Sequence, residues 1–483
     1  MNSINSKVYF YIVNLVITVI FLLLFSPYTT PLNPYYGFDD NIFMIIGQGI
    51  NKGYIPYKDL FDHKGPILFF IYALADIIHH GKMGVFILQI INLYIINLCI
   101  YKIAILYNCS IKKAYIVLLT FMVFFIGTIG EGGMNEEFSL SFLFTSFYLC
   151  LKQIHNSDIT PPLTSTFLYG LFFALIFLIR ANNTALICGI IFGYTIILLK
   201  DKHYICLLKH LAVFLLGLLV VCVPIILYFS KENAFEDFIF YSFTYNYVYA
   251  VDGIQDSKEY IMKIIWILPS ILLFIKTKKY ITYKEYFIIL PCLIISLFSV
   301  SLGNAYLHYY TLLLPLIVYF STKLLPQISN KHFFILFLIC FIPYAYTSAK
   351  NIGKILYFDI LRTRDDYYAE LNHVYNLIPD EDKDKTMPFE LAYKDYALYT
   401  QYNMTPICRF FHFQNKFMKD IKEVHQEVLY NCKNAIPEFI LTSNINSVHS
   451  PEIKQYILSN YELIYSKNEP QLLKVEIYKK KSK

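Results

Sequence analysis

The amino-acid sequence predicts an α-helical polytopic membrane protein with about eleven transmembrane helices and a C-terminal extracytoplasmic α/β domain. Hydrophobic residues make up 57% of the 483 residues and charged residues only 16%, whereas soluble domains have roughly 45–50% and about 25%. Long apolar runs recur as far as residue 347, and the rest of the chain is polar. This composition excludes a disordered chain and an ordinary soluble enzyme. The net charge of +6 comes largely from lysines in short connections and requires no nucleic-acid partner.

Each predicted helix corresponds to one apolar run. The length of the run is compared with the roughly 20 residues that a transmembrane helix needs. The first run follows Lys7. Because no small-residue cleavage site comes after Phe25, it is interpreted as an uncleaved spanning helix rather than a signal peptide. The runs are, in chain order, 8–25, 66–78, 84–107, 112–127, 138–151, 166–179, 184–199, 211–229, 260–275, 285–301, 306–322 and 332–347.

Lysine-rich connections indicate which of these runs does not cross the membrane. Four groups of lysines must lie in the cytoplasm with Lys7, because cytoplasmic loops carry an excess of Lys and Arg. They do so only if Pro66–Ile78, the shortest run, lies at the outer face as an interfacial or re-entrant helix. The first outer loop (27–83) and the C-terminal domain are then extracytoplasmic. The four groups are Lys102 with Lys112 and Lys113, Lys200 with Lys202 and Lys209, Lys276 with Lys278, Lys279 and Lys284, and Lys323 with Lys331.

The sequence predicts two domains, a transmembrane module at 1–347 and an extracytoplasmic α/β domain at 348–483. The second domain contains Cys408 and Cys432. In an oxidising compartment these cysteines would be able to pair, and two free thiols are the alternative. The elements predicted there are strands at Glu438–Thr442 and Leu472–Tyr478, a helix at Pro451–Asn460, and a further strand and helix within Phe389–Tyr402.

The first outer loop carries two adjacent carboxylates, Asp39 and Asp40, just before an amphipathic stretch. A carboxylate near the membrane surface could take a proton from the hydroxyl of an acceptor that meets a lipid-linked substrate. The alternative is a helix N-cap, because Asp before an apolar run is favourable capping chemistry. Lys64 begins the segment at the outer face. It either meets a phosphate at the interface or is a snorkelling anchor.

Three later outer loops add polar residues on the same face. Asn135, Glu136 and Glu137 follow a glycine-rich turn, where they could bind a divalent cation or sugar hydroxyls; the alternative is a solvated turn before a helix N-terminus. Arg180, the only arginine in the first 361 residues, has a planar fork suited to phosphate oxygens, or it is a charge at a helix C-terminus. His308 lies among aromatic residues that are otherwise typical of an interfacial belt.

These motifs occur in the same order and spacing in a known family. The chain resembles the GT-C superfamily of membrane glycosyltransferases, in particular the bacterial group similar to protein O-mannosyltransferases and to the aminoarabinose transferase of lipid A. Two departures are Gly65, where the family often has Pro, and the Asp-Asp pair, where many relatives have Asp-Glu. The matching stretches are Phe38-Asp39-Asp40, Gly53–Asp59, Lys64-Gly65-Pro66-Ile67, Gly132–Glu137, Arg180–Asn182 and His308-Tyr309-Tyr310.

The resemblance implies an enzyme that moves a hexosyl or pentosyl group from a polyprenyl-phosphate donor to a glycan, lipid or protein acceptor. Transfer would take place with inversion on the outer face of the cytoplasmic membrane. Asp39 would be the general base, with Asp40 as the alternative. Lys64, Arg180 and His308 would bind the donor phosphate.

The same resemblance places the remaining polar residues around the sugar, the acceptor or a metal ion. No cofactor is certain. A divalent cation, Mg or Mn, at the two glutamates is left open, because many relatives with monophosphate donors need none. The residues concerned are Tyr57, Asp59, Asn135, Glu136 and Glu137.

Two other classes of polytopic protein also handle lipid-linked glycans. A surface-polysaccharide polymerase or ligase usually has a large Arg-rich outer loop and no soluble tail, whereas this chain has acids in its first loop and a polar tail. A transporter would show repeated halves and charged residues at mid-membrane, and the apolar runs show neither. The transferase is therefore the favoured hypothesis.

Overall fold

A computed structural model describes residues 2–156, 160–247, 257–302, 304–356, 358–434, 436–469 and 473–482. Helices dominate these residues, and four short strands near the C-terminus form one sheet. Each apolar run of the sequence coincides with a helix. The run at 306–322 differs from the others, because it begins as a 3₁₀-helix at Leu307–Leu313 before the α-helix starts.

The described α-helices and strands are numbered in chain order. The helices are α1 (Asn2–Phe25), α2 (Asp39–Asn51), α3 (Pro66–Ile78), α4 (Lys82–Leu106), α5 (Ile111–Thr128), α6 (Asn135–His155), α7 (Leu163–Phe177), α8 (Ala185–Lys200), α9 (Tyr204–Lys231), α10 (Phe235–Ile239), α11 (Ser257–Thr277), α12 (Tyr283–Ser301), α13 (Leu314–Leu324), α14 (Asn330–Leu356), α15 (Phe358–Asn376), α16 (Ala397–Gln401), α17 (Gln414–Asp420), α18 (Lys422–Lys433) and α19 (Pro451–Asn460). The strands are β1 (Thr386–Phe389), β2 (Phe439–Thr442), β3 (Tyr461–Asn468) and β4 (Lys474–Lys480).

Seven helices among the described residues are long and apolar enough to cross a membrane, judged by length and composition. The chain is a multi-pass membrane protein, and the predicted class of a helical polytopic protein with a small C-terminal sheet is confirmed. The predicted span count and the sidedness of the loops stay predictions. The seven spans are Lys82–Leu106, Ile111–Thr128, Ala181–Lys200, Tyr204–Lys231, Glu259–Tyr280, Tyr283–Ser301 and Asn330–Gly353.

Packing divides the chain into two compact units, each assembled from three stretches of sequence. The helical unit comprises Met1–Ser26, Leu88–Lys231 and Phe243–Lys354. The mixed unit comprises Pro27–Ile87, Glu232–Ser242 and Ile355–Lys483. The first outer loop thus packs with C-terminal residues. The predicted domain boundary after residue 347, which follows chain order, stays a prediction.

Glycines allow two pairs of helices in the helical unit to approach closely. On α7, Gly170 lies against the backbone of Phe214 in α9, and Gly217 of α9 lies against the backbone of α7. On α8, Gly189 and Gly193 face the backbone of α12 in the same way. A Cβ at any of these positions would collide with the backbone of the neighbouring helix. Small residues allow helices in membranes to pack closely for this reason.

The sheet of the mixed unit has the strand order β1-β2-β4-β3. β1 and β2 are parallel, whereas β4 is antiparallel to both of its neighbours. The predicted strand at Glu438–Thr442 is β2, and the predicted helix Pro451–Asn460 is α19. The strand predicted to start at Leu472 is β4; Leu472 itself lies outside the described residues. Cys408 and Cys432 are buried free thiols in this unit.

Helices α2 and α3 of the mixed unit form a close pair that carries the first-loop residues. Gly47 of α2 lies against the α3 backbone, where a Cβ would be 2.6 Å from the carbonyl carbon of Tyr72. Asn51 Nδ2 donates to the Ala73 carbonyl at 3.0 Å and to Asp76 Oδ2 at 2.9 Å. These contacts fix the two helices whose N-terminal ends bear Asp39 and Lys64.

Candidate functional site

The predicted general base lies in the first turn of α2. Phe38 occupies the N-cap position, so Asp39 and Asp40 are the first two helical residues rather than the cap itself. Asp39 is half-buried and Asp40 is fully buried. A carboxylate in the first turn is stabilised by the partial positive charge of the helix N-terminus. The half-buried position leaves Asp39 the more accessible of the two acids.

Three hydrogen bonds connect α2 and Tyr36, three residues before the start of α2, to the C-terminal part of the mixed unit. Thr400 Oγ1 donates to Asn41 Oδ1 at 2.7 Å, and Gln48 Nε2 donates to the Thr400 carbonyl at 3.0 Å. Tyr36 donates its hydroxyl hydrogen to Gln401 Oε1 at 2.8 Å. The turn that carries Asp39 is therefore held from both sides.

Lys64 lies directly before Gly65, the N-cap of α3. Its backbone N–H donates to Asp62 Oδ1 at 2.8 Å, and its carbonyl accepts the Tyr57 hydroxyl at 2.7 Å. Its ammonium lies 2.9 Å from His63 Nε2, to which it can donate. The backbone of Lys64 is thus fixed on both sides, while its half-buried ammonium has an imidazole partner.

Asp62 and His412 form a buried pair that the sequence analysis missed. Asp62 Oδ2 lies 3.7 Å from His412 Nε2, which donates to the Phe61 carbonyl at 2.9 Å. Burial alone would raise the pKa of Asp62, but Lys64, His63 and His412 more than offset it, and the pKa lies below its usual value. Burial lowers the pKa of His412, which favours a neutral imidazole. Three consecutive ionisable residues at 62–64 could have indicated a functional site in the sequence. No sequence pattern indicated His412.

The negative charge of Asp39 raises the pKa of His412, and the positive charge of Lys64 lowers it. These two predicted residues of the mixed unit thus both act on the same imidazole. Tyr57 and Asp59 stabilise the segment that precedes Lys64. Asp59 Oδ2 accepts the N–H of Ile55 at 2.7 Å and closes a turn, in which Tyr57 is fully buried with a φ of 68°.

A glycine turn precedes α6 in the helical unit. Gly130, Gly132 and Gly133 have φ values of 70°, 91° and 70°, a region that favours glycine. The turn lets the chain fold back so that the Gly133 N–H donates to Glu137 Oε2 at 2.8 Å. It thereby sets the start of α6 at Asn135.

Arg180 is held between an acid and an aromatic ring. One of its guanidinium nitrogens pairs with Glu136 Oε1, and its guanidinium carbon lies 4.0 Å from the centre of the Tyr309 ring. His308 packs edge-to-face on Tyr309 at 4.7 Å between ring centres. The helical unit thus brings together Glu136, Arg180 and His308, with 22% of the Arg180 side chain exposed.

Glu137 and Asn135 are tied into the helical unit by further hydrogen bonds. Gln89 Nε2 donates to Glu137 Oε1 at 2.8 Å. The Asn135 carbonyl accepts Ser139 Oγ at 2.7 Å and Asn183 Nδ2 at 3.3 Å. Among the residues that the structure describes, no group of three His, Cys, Asp or Glu side chains is placed to hold a metal ion.

Comparison with known proteins adds one finding on the fold. No family model and no curated protein matches the sequence. The crystal structure of ArnT from Cupriavidus metallidurans bound to undecaprenyl phosphate matches with a TM-score of 0.65, over 98% of this chain and 98% of that chain. The fold of the chain is that of ArnT. At 9% identity the likeness to ArnT concerns the fold alone, and it confirms the resemblance drawn from the motifs.

A likeness in fold alone assigns no role to the two groups of polar residues. Asp39, Asp40 and Lys64, with Tyr57 and Asp59 supporting their loop, belong to the mixed unit. The acids at the start of α6, with Arg180 and His308, belong to the helical unit. Their roles stay predictions.

Proposed function

We propose that the chain is an integral-membrane glycosyltransferase that moves a hexosyl or pentosyl group from a polyprenyl-phosphate donor to an envelope acceptor. The observation that carries this proposal is the match in fold over 98% of both chains to ArnT, whose crystal structure was bound to undecaprenyl phosphate. The acceptor is a glycan, a lipid or a protein. Transfer takes place on the outer face of the cytoplasmic membrane, as the lysine distribution predicts.

The proposed reaction is a single displacement at the anomeric carbon, which inverts its configuration. The acceptor oxygen forms the new bond to that carbon while the bond from the carbon to the phosphate oxygen breaks. The electron pair leaves with the lipid phosphate, and the acceptor proton passes to Asp39. The accessible, half-buried position of Asp39 at a helix N-terminus supports this role over the buried Asp40.

The leaving phosphate gains negative charge as its bond to the sugar breaks, so preorganised cations and donors lower the barrier. Lys64 supplies an ammonium that is oriented by its fixed backbone. Arg180 supplies a guanidinium whose plane is set by Glu136 and Tyr309, and His308 adds an imidazole against the same ring.

The two glutamates and their neighbours have a supporting part in this proposal. Glu136 orients Arg180, and Glu137 with Asn135 fixes the start of α6. Tyr57 and Asp59 hold the loop that presents Lys64. Contacts of these residues with the sugar, the acceptor or a divalent cation stay part of the proposal.

The deciding experiment compares wild type, Asp39→Asn and the exposed matched control Asp366→Asn, each expressed in cells that lack the native protein. General-base catalysis typically accelerates a reaction 10²–10⁴-fold. Cells that express Asp39→Asn should therefore accumulate a polyprenyl-phosphate sugar. One envelope glycan, measured by mass spectrometry, should lose a hexose, pentose or amino-sugar mass. Asp366→Asn should match wild type. Identical glycan profiles for all three, with Asp39→Asn inserted in the membrane, would reject Asp39 as the base.

A further inference from the structure

A second polar cavity lies in the helical unit, at the other end of α6 from Glu136 and Arg180. It has a volume of about 680 Å³ and is formed by the end of α6, the start of α12 and the end of α13. At 1.5 Å per residue, the 21-residue helix α6 separates the two sites by roughly 30 Å. The cavity is therefore distinct from the candidate site, and it belongs to the lysine-rich ends of the helices.

The lining of this cavity favours an anion. Lys284, Lys323 and the acid Glu285 are among its described lining residues, and Lys323 Nζ donates to both Glu285 carboxylate oxygens at 3.0 and 3.1 Å. Lys284 is exposed on the wall and adds a second cation. His155 and Gln327 supply side-chain nitrogens that can donate hydrogen bonds. Two lysines against one glutamate leave a net positive charge at a place accessible from the surface.

A groove of about 170 Å³ lies beside the cavity, with which it shares Ile154, Tyr283 and Lys284. Ile197 of α8 and Phe287 of α12 give the groove an apolar wall, and Lys200 and Asp201, which carry opposite charges, line it as well. Both helices are among the seven that are long and apolar enough to cross a membrane. A charged cavity beside a groove with an apolar wall matches a molecule with an anionic head and a hydrocarbon tail. A soluble phosphate would leave the groove unused.

We propose that this cavity and groove bind an anionic phospholipid, with its phosphate beside Lys284 and Lys323 and one acyl chain along Ile197 and Phe287. Basic pockets between transmembrane helices bind anionic head groups in this way, and the cytoplasmic leaflet is rich in such lipids. The site is independent of the proposed transfer reaction.

The test uses the full-length protein in detergent and measures retained lipid by native mass spectrometry. Wild type should retain phosphatidylglycerol in preference to phosphatidylcholine, which has no net charge. Lys284→Ala should lower phosphatidylglycerol retention about fivefold, the effect of removing one cation beside a phosphate, and Lys284→Glu should lower it further. The matched control Lys331→Ala removes an exposed lysine from the same group of connections, outside the cavity, and should retain lipid as wild type does.

Two further arms distinguish a lipid from a free anion. Ile197→Trp fills the groove and should lower phosphatidylglycerol retention, whereas excess inorganic phosphate should not displace the lipid. Equal retention of the two lipids by wild type, or equal retention by Lys284→Ala and Lys331→Ala, would overturn the proposal. Full displacement by inorganic phosphate would assign the cavity to a soluble anion instead and would overturn it equally. Because Lys284 is exposed, its variants test the proposal even if Ile197→Trp does not fold.

Discussion

Arg180 illustrates how much one residue type can determine. Among the first 361 residues, where every other basic residue besides histidine is lysine, a planar guanidinium lies on the Tyr309 ring and at the same time pairs with Glu136. A lysine ammonium could satisfy one of these partners, because it lacks the flat face. The sequence could single out Arg180 because arginine is rare there. Its partners Glu136 and Tyr309 come from other loops, and no sequence pattern indicated that they contact Arg180.

Removing Arg180 should therefore cost stability, because it leaves the buried Glu136 carboxylate without its partner. We expect Arg180→Met to lower the free energy of unfolding by about 3 kcal/mol, at the low end for breaking a buried ion pair, since Arg180 is partly exposed. The double variant Arg180→Met/Glu136→Gln should regain most of that loss. Thermal unfolding in detergent measures both; a double variant no more stable than the single one would contradict the pairing.

The pair of Asp62 and His412 should make stability depend on pH. Burial lowers the pKa of His412, and Asp62 offsets this only in part. In the unfolded chain the imidazole titrates near 6.5, so between the folded pKa and about 6.5 the unfolded state binds more protons. The free energy of unfolding thus falls as the pH falls through that window.

We expect the melting temperature to decrease from about pH 7.5 to about pH 5.5, as measured by thermal unfolding in detergent. His412→Gln keeps a donor for the Phe61 carbonyl and removes the titrating group, so its melting temperature should change less over the same range. An unchanged slope in His412→Gln would assign the pH dependence to other groups.

At the scale of elements, the apolar helices could be predicted from the sequence because length and composition suffice to define them. β3 could not, because it is an edge strand whose side chains are mostly exposed and give no alternating apolar pattern. The N-cap alternative for Asp39 and Asp40 put a helix start within two residues of the N-cap of α2, which is Phe38. The contact between Asp62 and His412 joins residues about 350 positions apart, and no local pattern marks it.

The glycine turn before α6 allows a direct test of an element boundary. A Cβ at Gly130 would lie 3.2 Å from Met134 Cγ and 3.3 Å from His308 Cβ, and φ is 70°. We expect Gly130→Ala to lower the free energy of unfolding by about 1–2 kcal/mol. Gly353→Ala, in α14 with nothing within 4 Å, is the matched control and should be neutral or stabilising by up to about 1 kcal/mol. Similar melting temperatures for both variants would contradict the strained turn.

At the scale of the whole molecule, the sidedness of the loops is the prediction with the widest consequences. A membrane-impermeant maleimide should label His80→Cys on intact cells and Lys279→Cys only after permeabilisation, because the lysine groups place these positions on opposite sides. Both side chains are exposed, and wild type, with its ten free cysteines, gives the background. Labelling of residue 80 only after permeabilisation would mean that Pro66–Ile78 crosses the membrane, and the later loops with Glu136, Arg180 and His308 would then lie on the opposite side from Asp39.

The three stretches of the mixed unit leave the ribosome at different times. Ile355 follows Ile87 by about 270 residues, which at 5–20 residues per second takes roughly a quarter of a minute to a minute. During that interval α2 and α3 lack Thr400, Gln401 and His412, which hold their N-terminal ends in the finished protein. The helices α2 and α3 are thus synthesised well before the residues that complete the mixed unit. Chaperones and proteases have that time to act on the incomplete unit.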